Sequence, residues 1–164
     1  MVAEAVSSGR LTAGGTVVES SSGNLGMALS RECAARGARF VCVVDSRANP
    51  AALRTIRMLG GEIELVDRPD PVTGDLLTAR LARVRELVAA IPGAVNLYQY
   101  GNPANPAAHT TGTMREIAES LDHRIDVLLV AVSTTGTLGG CTRYVHDHSS
   151  PNCPAASGRT TSSG

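Results

Sequence analysis

The spacing of apolar residues alternates between two repeats along this chain, and the alternation outlines its elements. Short unbroken apolar runs, the kind covered on both faces in a parallel sheet, occur at Thr16–Val18, Phe40–Val44 (FVCVV), Ile63–Val66 and Asp126–Val132 (DVLLVAV), and VNLYQY follows Pro92-Gly93 as a further candidate. Of these, DVLLVAV reads as the most buried strand. Between the runs, apolar residues recur at helical spacing. Leu25, Ala28, Leu29 and Cys33 predict a helix closed by Gly37; Leu53, Ile56 and Leu59 predict another behind Pro50. Leu77, Leu81, Val84, Leu87, Val88 and Ile91 mark a long amphipathic helix whose Arg80, Arg83, Arg85 and Glu86 read as a solvated side. Met1 to Ser8 has helical spacing up to Gly9, a helix is expected from about Thr111 to Leu121 after the polar loop GNPANPAAH, and another begins near Leu138. Strand and helix alternate throughout. The class is α/β: three layers, a mainly parallel sheet with helices on both faces.

From His148 the pattern stops. SSPNCPAASGRTTSSG has no periodicity and is rich in Ser, Pro and Gly, so residues 148–164 are expected to form a disordered tail behind a folded part, residues 1–147.

Composition narrows the function. The 164 residues carry 15 acidic and 15 basic side chains, and a net charge of zero gives no electrostatic reason to expect a nucleic-acid or membrane partner. No apolar run is long enough to span a bilayer and no leader segment is recognisable, so the cytoplasm is the expected location. The four cysteines form no CxxC pair, and Cys33 and Cys42 read as core residues. All the basic residues are Arg. With no Lys, chemistry that needs a side-chain primary amine is unavailable within the chain.

Two strand-to-helix loops carry the candidate chemistry: ESSSGNLG (Glu19–Gly26) and STTGTLGG (Ser133–Gly140). Each places hydroxyls and open backbone N–H groups at the positive end of a helix, which suits an anion. Two such loops suit a ligand system with two anionic ends, for instance a phosphate and a carboxylate. The alternatives fail on spacing: there is no GxxxxGK[ST] and no GxGxxG. Cys141, His146, His148 and Cys153 match no common zinc module, and His109 reads as an exposed helix-entry residue.

SSGN before a helix, QYGNPANPAAH with TTG, and a hydroxyl-rich loop after DVLLVAV together resemble the cysteine synthase family of pyridoxal-phosphate enzymes, fold type II. ESSSGNLG, VVD before a Pro-containing helix, and VSTTGT resemble most closely the subgroup that forms N-(2-amino-2-carboxyethyl)-L-glutamate, a precursor of 2,3-diaminopropionate in siderophore biosynthesis. The resemblance implies a tryptophan synthase β-like fold, here incomplete, with pyridoxal 5'-phosphate as cofactor and amino acids as substrates. It implies that Ser21, Ser22, Gly23 and Gln99 hold the substrate carboxylate and that Asn24 bonds the 3′-oxygen of the cofactor ring. Ser133, Thr134, Thr135, Gly136 and Thr137 would cradle the cofactor phosphate. It also implies a β-replacement joining an activated serine to an amino-acid nucleophile, glutamate in this subgroup, and a homodimeric parent enzyme. Cysteine synthases usually have Thr where this chain has Leu25, and more glycine in the phosphate loop.

The family binds its cofactor as a Schiff base to a Lys placed shortly before the residues that begin this chain, and full-length members are about twice this size. The expectation is therefore an internal fragment with no catalytic residue of its own, inactive alone. Two other readings stand beside it: a non-catalytic α/β module for a small anion or phosphate ligand, and a truncated reading frame whose DVLLVAV face is left uncovered.

Overall fold

The computed structural model describes residues 1–148. The chain divides into two compact units, with the division after Asn102.

The first unit is built on four strands: β1 (Thr16–Ser20), β2 (Arg39–Asp45), β3 (Glu62–Val66) and β4 (Ala94–Val95). Their order is β3-β2-β1-β4 and every pairing is parallel, with Val17 opposite Phe40 and Cys42 opposite Ile63. Strand alternation sends successive side chains to opposite faces, and both faces are covered. Val17, Phe40, Cys42 and Val44 join Val2, Leu29, Cys33 and Ile56, from α1 (Val2–Ser7), α2 (Asn24–Ala34) and α3 (Pro50–Met58). Val18, Val41 and Val43 pack instead with Val84 of α4 (Leu76–Ala90). FVCVV is apolar at every position because each of its faces meets a helix. The α/β class and the two-sided parallel sheet stand as read from the sequence.

The helix boundaries have local causes. Asn49 caps α3 by accepting from the Ala51 N–H at 2.8 Å, with Pro50 in the first turn, and Asp75 caps α4 by accepting from the Thr78 N–H at 2.7 Å.

The second unit is helical among the described residues. It comprises α5 (Ala104–Ala108), a π-helical segment (His109–Met114), α6 (Arg115–Ser120) and α7 (Gly136–His148). Met114, Ala118, Cys141 and Tyr144 form its core, with Ile125 and Val130 packed against them.

Four expectations are corrected. VNLYQY is not a strand beyond Val95: the Asn96 side-chain amide donates to the Val18 carbonyl at 2.7 Å where a ladder bond would stand, and the backbone then turns through Tyr98 at φ 53°. DVLLVAV is not a strand of the sheet. Among the described residues no strand takes its backbone groups, and Val127, Leu129 and Val132 are 77%, 92% and 60% exposed. GNPANPAAH is a loop only as far as Pro103, and the helical path starts at Ala104. Arg80 is no solvated residue: its side chain is 13% exposed and its Nε lies 3.3 Å from Oδ2 of the buried Asp45, an ion pair without hydrogen-bond alignment. Helix α7 runs through His148, and the rest of the expected tail lies outside the described residues.

Candidate functional site

The first loop leaves the C-terminal end of β1, the edge of a parallel sheet where α/β folds bind ligands. Ser20 and Ser21 are buried, Ser22 is half-buried, and Gly23 and Asn24 are exposed. Gly23 is the N-cap residue of α2 but offers no side chain, so Ser21 does the capping: its Oγ accepts from the Gly26 N–H at 3.0 Å. Helix geometry leaves the first N–H groups without intrahelical acceptors, and those of Asn24 and Leu25 find no other acceptor among the described residues. The foot of α2 therefore presents open N–H groups beside two serine hydroxyls. The Asn24 side chain likewise has no hydrogen bond among the described residues, and Leu25 packs its hydrocarbon against the sheet core.

What holds this loop was only partly visible in the sequence. Cys42, from β2, donates its thiol hydrogen to the Ser21 carbonyl at 2.7 Å, and burial pushes the thiol up to about 12. A Cβ on Gly26 would meet the same carbonyl at 2.7 Å and Ile56 Cδ1 at 3.0 Å, so only glycine lets α2 start this close to the sheet. Gln99 is buried, and its Nε2 donates to the Ser20 carbonyl at 2.6 Å. That amide nitrogen braces the loop from below. Glu19, the first residue of ESSSGNLG but given no role from the sequence, is 1% exposed and accepts from the N–H groups of Ser20 and Gln99 at 3.1 and 3.3 Å. Its one sequence signal was a lone carboxylate at the end of an apolar strand. At the end of β2, Asp45 is held below the usual carboxylate range chiefly by the Arg47 guanidinium, with Arg80 adding to it.

In the second unit, Ser133 and Thr135 are exposed, Thr134 and Thr137 half-buried, and Gly136 buried at the start of α7. Thr135 stands at φ 64°, a left-handed conformation uncommon for a β-branched residue. Its carbonyl accepts from the Gly139 N–H at 2.8 Å and so opens the helix. A Cβ on Gly136 would lie 2.5 Å from the Asn105 side chain, and one on Gly140 would lie 2.4 Å from the Pro106 carbonyl. Gly136 and Gly140 thus serve helix packing. His109 links two hydroxyls, with Nδ1 3.1 Å from Thr113 Oγ1 and Nε2 3.3 Å from Thr137 Oγ1. One neutral ring nitrogen donates and the other accepts, which is a structural role for the π-helical segment. Among the described residues no group of His, Cys, Asp or Glu could hold a metal ion, and no helix is long and apolar enough to cross a membrane.

Over residues 1–161 the chain matches the family described as pyridoxal-phosphate dependent enzymes. It belongs to that family. Among curated proteins it is 42% identical over 143 residues to an N-(2-amino-2-carboxyethyl)-L-glutamate synthase of Ralstonia nicotianae (strain ATCC BAA-1114 / GMI1000), covering 87% of this chain and 42% of that protein. Among solved structures it is similar to a lysine-to-alanine mutant of O-ureido-L-serine synthase with O-ureido-L-serine bound, at TM-score 0.80 and 33% identity, covering 90% of this chain and 44% of the other. A hydrogen sulfide-producing enzyme from Fusobacterium nucleatum matches at TM-score 0.80 and 25% identity, over 89% of this chain and 47% of that one. The chain thus spans less than half the length of these relatives. The family's cofactor is pyridoxal phosphate, and the donor set here fits part of it. Hydroxyls and helix-start N–H groups of Ser133–Thr137 suit a phosphate, but with no Lys the chain has no side-chain amine for a covalent link.

Proposed function

We propose that this chain carries the substrate-carboxylate and cofactor-phosphate elements of a β-replacement enzyme that joins an activated serine to an amino-acid nucleophile, with glutamate as that nucleophile. The observation that supports this most is the foot of α2, where two serine hydroxyls and the open N–H groups of Asn24 and Leu25 converge at the C-terminal edge of a parallel sheet. The 42% identity to a synthase of N-(2-amino-2-carboxyethyl)-L-glutamate favours glutamate over other nucleophiles.

In this reading Ser21, Ser22 and Gly23, with the open N–H groups of Asn24 and Leu25, hold the amino-acid carboxylate, and Gln99 braces them from beneath. The Asn24 amide would donate to the 3′-oxygen carried on the cofactor ring, and Ser133, Thr134, Thr135, Gly136 and Thr137 would take its phosphate. When bound, pyridoxal phosphate supplies an electron sink that loosens the bonds at the amino acid's α-carbon. The family's amine, which both tethers the cofactor and moves the α-proton, is not among these residues, so the chain alone binds ligand but does not turn over.

The test is direct. Pyridoxal phosphate at ten times its dissociation constant should stabilise the chain by about 1.4 kcal/mol. Borohydride treatment should leave no cofactor attached to a side chain, as read by mass spectrometry. Absence of any stabilisation would defeat the reading. Stabilisation by inorganic phosphate equal to that by the cofactor would favour a general anion-binding module.

A further inference from the structure

We propose that Glu19 is a positioning residue: its buried carboxylate pins the Asn96–Gln99 turn to the end of β1 and so sets the geometry of the Ser21–Asn24 loop.

Glu19 is almost fully buried at the last turn of β1 before the loop. Everything that reaches its carboxylate donates. Oε1 accepts from the Ser20 N–H and Oε2 from the Gln99 N–H, and the Asn96 side chain and the Tyr98 N–H add a pull toward the ionised form. Burial raises the group's pKa, and these four donors oppose that rise. A buried carboxylate is tolerated when its lone pairs are filled in this way.

Two features show that the carboxylate holds a shape rather than filling space. Tyr98, one of its partners, sits at φ 53°, a conformation that an aromatic residue keeps only when its surroundings impose it. The turn it fixes then delivers Gln99, whose Nε2 meets the Ser20 carbonyl at 2.6 Å. Ser20 is therefore gripped at both ends of its peptide pair, its N–H by Glu19 and its carbonyl by Gln99, directly before the loop. Asn96 closes the circuit through the Val18 carbonyl at 2.7 Å.

The consequence for ligand binding rests on the functional reading above, but the positioning itself does not, and the experiment separates them. Glu19→Gln keeps the volume and turns one oxygen into an N–H donor facing other donors. In the full chain, amide hydrogen exchange by NMR should show Ser20, Tyr98 and Gln99 exchanging at least ten times faster, beyond any change shared with Val41–Val44. Adding Tyr98→Gly, which adopts the left-handed turn without strain, should recover at least threefold of that loss. Asn96→Ala should give the same pattern at about one third of the amplitude, and it serves if Glu19→Gln does not fold. Faster exchange spread evenly over the sheet, or no change, would overturn the proposal. With pyridoxal phosphate and L-serine as probes, Glu19→Gln should weaken L-serine at least tenfold and the cofactor, for which Asn24 is one contact among several, by a smaller factor. If the wild-type chain binds neither probe, the functional reading fails and the exchange pattern alone decides the role of Glu19.

Discussion

The two hydroxyl-rich loops have the same design in sequence and differ in what stands beneath them. ESSSGNLG leaves β1, a strand paired on both sides, and is bound from below by Cys42, Glu19 and Gln99. STTGT leaves Asp126–Val132, which pairs with no strand among the described residues, and opens α7 on a strained Thr135. An anion site depends on N–H groups held in place before the ligand arrives. The first loop has that support from its own unit's sheet. The second draws its order from helix packing, through Gly136 against Asn105 and Gly140 against Pro106.

The sharpest way to break the comparison is to remove apolar side chains on each side. Phe40→Ala, in β2, should cost about 4 kcal/mol in chemical denaturation, whereas Leu129→Ala, at a residue 92% exposed, should cost less than about 0.5 kcal/mol. Equal losses would mean that Asp126–Val132 is covered in solution. Alkaline titration tests the same contrast. Burial raises Cys33 to about 11 and Cys42 to about 12 from an ordinary value of 9.0. The folded thiols keep protons that the unfolded chain has lost. Their contribution is therefore fully present below pH 9 and drains away as pH rises toward 12. Denaturation midpoints measured at pH 8 and 10.5 should fall accordingly, and Cys33→Ala with Cys42→Ala should flatten the profile.

A smaller effect comes from the foot of α2. Gly26→Ala drives a methyl group into the Ser21 carbonyl and should destabilise the first unit by about 2 kcal/mol. It should also move the Ser21 and Asn24 amide resonances. The smallest sharpens the second loop: Thr135→Gly relieves the φ 64° conformation and should stabilise the second unit by about 0.5 kcal/mol in thermal melts, net of the added chain entropy of glycine.

These contrasts also show what the amino-acid order reveals. FVCVV and the three-residue start of β1 were legible because each position has the same apolar character on both faces, and the sheet indeed covers both. DVLLVAV has the same character and misleads, since an apolar run states a need for strand partners without supplying them. The place of the serines and Asn24 at a helix start could be read, because hydroxyls and glycine before a helix are a local pattern. Glu19, Asn96 and the Cys42–Ser21 bond could not, because each acts through a partner 21 or more residues away. Arg80 was misread for the same reason: its place on α4 says nothing of Asp45 at the end of β2.

A Cβ on Gly26 would meet a carbonyl, a methyl and a sulfur at once. No natural amino acid is smaller, so evolution has no step available there that would draw α2 nearer the sheet, and any larger residue would push it away. Variation around this loop is thereby left to its outward positions, such as Ser22 and Asn24, while the spacing of the α2 amides from the sheet is set by a residue that cannot shrink.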